Sequence, residues 1–333
     1  MGAFRLLVFS VIAASLGGNA LATEDDLLRY KGRSYGVDHA SPKLRTMLYD
    51  LELDYYRQRQ MLADELLFQI YLEIEADARG ATREALAEEL LAVDAPREQD
   101  IRDFFESNRN RIGQPYQEIR DRIEQHLSDQ RLRAKKAELL ARVKSEGDFE
   151  SLLEPPESPP LEIATDGFPR RGAKVARFTI VEFGDYQCPH CARAAGVLER
   201  IMERYPEDVQ VIYMDFPVNR SGISRAVAEG AACAHRLGRF WAYHDLAFAR
   251  QSTLDGDSPS ELAKAIGLDE AEFAECLGGG APKAYVARAE HEARRLGLRA
   301  TPSIFVNGRP LRSRHLERDL ERLIGGGDGS GKS

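Results

Sequence analysis

The run Val181-Glu182-Phe183-Gly184-Asp185-Tyr186-Gln187-Cys188-Pro189-His190-Cys191 constrains this chain more than any other stretch. It reads as a buried strand, a short polar turn and a Cys-x-x-Cys that opens a helix over residues 192–205. Thiol–disulfide exchange runs through a thiolate, and the unpaired N–H groups at a helix N-terminus favour negative charge. Two intervening residues let both sulfurs close a small ring, so the pair can trade a disulfide with another molecule. The same spacing is half of a structural zinc site. Zinc needs two more ligands, and the candidates Cys233, His235 and His244 begin 42 positions beyond Cys191 in a helical pattern, so no metal is expected.

The beginning of the chain sets the compartment. Arg5, an apolar core over residues 6–16 and Ala20-Leu21-Ala22 before an acidic stretch read as a signal peptide at residues 1–22. Its apolar stretch is well short of the roughly 20 residues that span a bilayer. Export, to a bacterial periplasm, is therefore expected. There the four cysteines suggest two disulfides, and three pairings are open. The tight spacing of the first pair favours Cys188–Cys191 together with Cys233–Cys276. Residues 23–150 carry 21 Lys+Arg against 28 Asp+Glu, and residues 151–333 carry 24 against 26. Neither part is basic, which argues against nucleic acid as a partner.

The periodicity divides the chain. Residues 43–146 repeat apolar positions every three or four residues, with breaks at Gly80, Asp94-Ala95-Pro96 and Gly113-Gln114-Pro115. Residues 23–150 are read as a helical accessory domain without a catalytic cluster. The proline-dense residues 151–160 are an extended spacer. Residues 161–324 alternate strands and helices. Strands are expected at 161–165, 178–183, 209–215 and 303–306, with a helical block inserted between the third and fourth and a last helix at 315–324. Residues 325–333 are a Gly/Ser-rich tail. Ala300-Thr301-Pro302-Ser303 precedes the late strand, and the bond before Pro302 is one of the few where a cis peptide costs little. Trp241, Tyr243 and His244 read as core and helix-contact residues.

Residues 182–191 with Thr301-Pro302 resemble the DsbA-type thiol:disulfide oxidoreductases, in which Pro-His stands between the two cysteines. The segment Arg239-Phe240-Trp241-Ala242-Tyr243-His244-Asp245-Leu246 is also similar to that family. The resemblance implies a thioredoxin-like α/β fold with an inserted helical domain, here preceded by an all-α domain. It implies that Cys188 is the nucleophile, that Cys191 resolves the mixed disulfide, and that Pro189 and His190 tune the pair. Glu182 would be a buried acid relaying the proton of Cys191, Thr301 and Pro302 would hold an extended substrate, and Cys233–Cys276 would tie helices of the insert. One departure is Ala195, where some relatives carry a second acid. The helical half is similar in pattern to the N-terminal module of SurA-like foldases.

The expected activity is introduction of disulfides into newly exported cysteine-containing proteins, with no organic cofactor and a separate redox partner that resets the pair. The alternatives are an isomerase that uses the helical domain to form a homodimer or grip substrate, and a chaperone or copper-binding protein without turnover.

Overall fold

The computed structural model describes residues 26–146 and 149–326. The signal peptide read at residues 1–22 and the tail beyond residue 326 lie outside the described residues. The chain forms two compact units, one of residues up to 50 together with 157 onward, the other of residues 51–156.

The first unit opens with an antiparallel hairpin, β1 (Asp26–Tyr30) and β2 (Arg33–Gly36). Its turn residues Lys31 and Gly32 both take positive φ, +48° and +75°, the two-residue geometry that matches strand twist. The long helix α1 (Pro42–Arg79) follows and runs on into the second unit. That unit is completed by α2 (Arg83–Leu90), α3 (Glu98–Ile112) and α4 (Tyr116–Glu146). Thr82 caps α2 by accepting from the Ala85 amide, and Gly113 closes α3 in the left-handed conformation. Phe68, Leu72 and Ala76 of α1 pack with Leu86, Leu139 and Leu140, while Ile101 and Phe105 pack with Ile119 and Ile123.

The C-terminal half is built on a sheet of order β3-β5-β4-β6-β7, comprising β3 (Arg170–Gly172), β4 (Phe178–Gly184), β5 (Val209–Asp215), β6 (Ser303–Val306) and β7 (Arg309–Leu311). β4 runs parallel to β5 and antiparallel to β6. Strand side chains alternate between faces, and β4 shows it. Ile180 packs with Leu198 and Ile201 of α5 (Pro189–Arg204) and Leu320 of α11 (Leu316–Gly325). Val181 and Phe183 pack on the other side with Ala289 and Ala293 of α10 (Ala281–Arg295). Glu182 therefore shares the Ile180 face, under α5. Between β5 and α10 stand α6 (Ile223–Arg236), α7 (Phe240–Ala249), α8 (Ser258–Ala265) and α9 (Glu270–Gly278).

The expected strand at 161–165 is not formed. Leu161 is buried and its amide donates to the Gly308 carbonyl (2.9 Å), but the Ala164 amide is taken by the Glu292 carboxylate (2.8 Å), so no ladder develops. The sheet edge is instead β3, antiparallel to β5.

Candidate active site

The parallel strand β4 delivers the chain to the top of the sheet, and the turn 184–187 carries it to Cys188, the N-cap of α5, with Pro189 in the first turn of the helix. That turn is rigidly held. Asp185 is buried and accepts hydrogen bonds from the Gln187, Val218 and Asn219 amides and the Ser224 hydroxyl. The Gln251 side chain donates to the Tyr186 and Cys188 carbonyls at 2.8 and 3.0 Å. Gly184 permits the turn to lie on the Tyr213 ring, where a Cβ would come within 2.6 Å of ring atoms.

Cys188 and Cys191 are thiols, the first half-buried and the second buried. The Thr301–Pro302 peptide bond is cis. Because Phe183 pairs with Ser303 in the β4–β6 ladder, this bond lies beside the motif, and the Cys188 Sγ–H donates to the Thr301 carbonyl at 3.3 Å. The structure thus brings Cys188, Pro189, Cys191, Glu182, Thr301 and Pro302 to one place.

Glu182 is 1% exposed, and its Oε1 has no protein hydrogen-bond partner. Burial alone pushes its pKa up to about 8, because a carboxylate removed from water is costly. The Cys191 thiol is pushed far up, first by burial and second by the Glu182 charge. The Glu182 charge thus favours a proton on Cys191, while burial favours a proton on Glu182 itself.

His190 is exposed, and its Nδ1 lies 2.6 Å from Arg193 Nη2. A guanidinium only donates, so this ring presents a lone pair at Nδ1, and the cation placed by the motif is Arg193. A groove of about 510 Å3 runs from His190 and Arg193 past Pro302 to Arg314, with Val197, Ile304 and Leu311 on its floor.

Cys233 of α6 and Cys276 of α9 are joined by a disulfide, with Cα atoms 5.9 Å apart, inside the insert's core. The bond closes a loop across 43 positions. Replacing both cysteines by alanine is expected to lower the stability of this half by about 4 kcal/mol through the larger conformational freedom of the unfolded chain, readable from urea unfolding. Among the described residues no group of three or more His, Cys, Asp and Glu side chains is placed to hold a metal ion.

Asp185, Gln251 and Arg193 were not picked out from the sequence. Asp185 offered a signal, an acid in a turn directly after an apolar strand, a setting where such side chains satisfy loop amides. Gln251 offered none, since it reaches the motif across more than 60 positions. Trp241, Tyr243 and His244 lie among the rings of the insert, where Tyr243 is fully buried and His244 is 4% exposed.

A Cys-x-x-Cys at a helix N-terminus, facing a cis proline and underlain by a buried acid, defines the class: a thiol:disulfide oxidoreductase of thioredoxin-like fold. The comparisons agree for this half. Residues 165–325 match the thioredoxin family model, so the C-terminal half of the chain is a thioredoxin-family domain. A curated relative is the Na(+)/H(+) antiporter NhaA of Herminiimonas arsenicoxydans, 30% identical over 177 residues, which are 53% of this chain and 27% of that protein. The chain thus spans about a quarter of the length of that relative. Similar solved structures include BdbD from Bacillus subtilis (21% identity, 51% of this chain and 98% of that one, TM-score 0.47). Another is the catalytic domain of ScsC from Proteus mirabilis (26% identity, 49% and 91%, TM-score 0.43).

Proposed function

We propose that the protein is an exported, periplasmic oxidase that introduces disulfides into newly exported cysteine-containing proteins. The observation that carries this reading is the pairing of a reachable Cys188, set against the Thr301 carbonyl, with a buried Cys191 over the acid Glu182. A substrate thiolate attacks Cys188 of the oxidised pair, the Cys188–Cys191 bond breaks, and Cys191 leaves with the electron pair and takes a proton. A second substrate thiolate then attacks the mixed disulfide at the substrate sulfur, releasing the substrate disulfide and the reduced enzyme. A separate redox partner removes the two electrons, and no organic cofactor takes part. Export rests on the amino-terminal pattern of residues 1–22. Among the described residues no helix is long and apolar enough to cross a membrane.

The test sets the oxidised mature protein against a reduced dithiol peptide and, separately, the reduced protein against a scrambled-disulfide protein in mildly reducing glutathione. Fast stoichiometric oxidation with no reactivation above the glutathione background is expected. Reactivation without oxidation would sink the oxidase reading.

The isomerase reading is favoured by one observation. In the second unit α1 exposes Leu51, Tyr55, Leu62 and Leu66, each more than half exposed, at spacings that place them on one side of the helix. A homodimer, or a grip on unfolded substrate, would cover them. Sedimentation of the mature protein distinguishes the dimer, and Leu62→Glu would dissociate it.

The groove also carries an expectation. Arg193 and Arg314 flank it, so peptides with an acidic residue beside the cysteine should exchange several-fold faster than their lysine counterparts at low salt. Arg193→Glu with Arg314→Glu should reverse the preference, as read from stopped-flow rates.

A further inference from the structure

Glu182 lines a cavity of about 220 Å3 on the side away from the Pro302 groove. Tyr213 stands opposite Glu182 in the β4–β5 ladder, and His244 of α7 meets Tyr213 edge-on, with ring centroids 4.6 Å apart. All three line the cavity, together with the more exposed Arg171, Glu199 and Asp245. Three buried polar atoms of these residues have no protein partner: Glu182 Oε1, the Tyr213 hydroxyl and His244 Nε2. A cavity of this size has room for several waters beside these residues.

His244 is held in one orientation. Its Nδ1 is 3.0 Å from Asp245 Oδ1, and Asp245 in turn accepts from Arg171 at 3.0 Å. A carboxylate only accepts, so Nδ1 carries the hydrogen and Nε2 keeps its lone pair. This is the arrangement in which a histidine takes up and passes on a proton while the carboxylate stabilises the transient imidazolium. The charged and titratable groups around the ring are Asp245 on its own helix, Arg171 on β3, Glu199 on α5, Glu182 on β4, Tyr213 on β5 and Tyr186 in the turn before the motif. Burial pushes the His244 pKa down, so the resting ring is neutral.

We propose that His244 is the proton relay between Glu182 and solvent, acting through water held in this cavity. The inference rests on the thiol–disulfide reading above. When a substrate thiolate attacks Cys188, the electron pair of the Cys188–Cys191 bond stays on Cys191 Sγ, and the Glu182 proton goes to that sulfur. His244 Nε2 takes up a proton from bulk water, and the transient imidazolium, held by Asp245, passes it through the cavity water to the carboxylate left behind, which returns the ring to its neutral state. The proton released when the substrate thiol ionised is thus returned to the enzyme dithiol, and the electrons come from the substrate sulfurs. His244 acts through Glu182 and is a positioning residue for proton supply.

The test measures reduction of the oxidised protein by dithiothreitol between pH 5.5 and 8, in the full mature chain and in His244→Ala and His244→Gln. Both variants should react about ten- to a hundred-fold more slowly, within the range of lost acid–base assistance. Added imidazole should restore the rate of His244→Ala, and the equilibrium constant with glutathione should stay within twofold of the wild type. An unchanged rate overturns the relay, as does a slowed rate that imidazole does not move and a displaced equilibrium accompanies. Should neither variant fold, the His244 ring nitrogens of the wild type can be followed by nuclear magnetic resonance. Their titration should differ between oxidised and reduced protein, and identical curves would overturn the proposal. A wild-type disulfide reduced no faster than glutathione disulfide would bring down the oxidoreductase reading itself, a failure visible before any variant is compared.

Discussion

Cys188→Ser is expected to leave no disulfide exchange above the buffer background, whereas Cys191→Ser keeps the first step and stops there. The reason is access. Cys188 is half-buried at the start of α5, with the Thr301 carbonyl, whose residue lines the groove, beside its sulfur. Cys191 lies one turn further in with no exposed surface. A substrate sulfur must approach in line with the bond it attacks, and only Cys188 offers that line. Exchange needs a nucleophile and a resolving thiol, so removing the first ends the reaction and removing the second traps it. Incubation of each variant with a disulfide-bonded peptide, followed by a non-reducing gel, checks both halves. An adduct with Cys191→Ser and none with Cys188→Ser is the expected pattern, and the opposite pattern would exchange the two roles.

The accessible part of this site was readable in the chain because its elements are contiguous. A strand buried on both faces, a polar turn and a cysteine pair at a helix start all lie within residues 178–191, and local periodicity describes each. The Pro302 signal came from chemistry, since only an X-Pro bond makes a cis peptide cheap. What escaped was set by partners far along the chain. Residues 161–165 have strand composition, yet Glu292 takes the Ala164 amide, and nothing near residue 161 announces that. The short strand β3, Arg170-Arg171-Gly172, carries no apolar alternation and exists because β5 offers it an open edge. β7 contains Pro310, which suits only an edge. The Asn307-Gly308 pair before it reads as a turn, and its φ of +49° and +76° make that turn a hairpin into β7, a strand too short to show a period of its own. His244 shows the remaining gap. Its aromatic neighbours mark it correctly as a core residue, but only the fold shows that its Nε2 has no protein partner and that the residue lines a cavity with Glu182.

Glu182→Gln should stabilise the dithiol protein by roughly 4–5 kcal/mol at pH 8.5 and by under about 1 kcal/mol at pH 5, while slowing exchange on the order of a hundredfold. The sign follows from where the proton is held. Burial raises the Glu182 pKa from 4.5 to about 8, so the folded chain keeps a proton that the unfolded chain releases. Stability is then complete below pH 4.5 and is lost as pH rises toward 8. One pKa unit corresponds to about 1.36 kcal/mol, which sets the size of the loss. Glutamine keeps the shape but never ionises, so the penalty disappears and its gain grows with pH. The same substitution removes the acid beneath Cys191, and under the proposed mechanism the departing thiolate, whose pKa is raised by burial and by Glu182 itself, loses its proton donor. Urea unfolding at the two pH values and stopped-flow reduction of the oxidised form measure the two effects separately. A residue kept for packing would show neither trend, and a Glu182 open to solvent would show no stability gain. Greater stability with slower chemistry is the pattern expected of a strained functional acid.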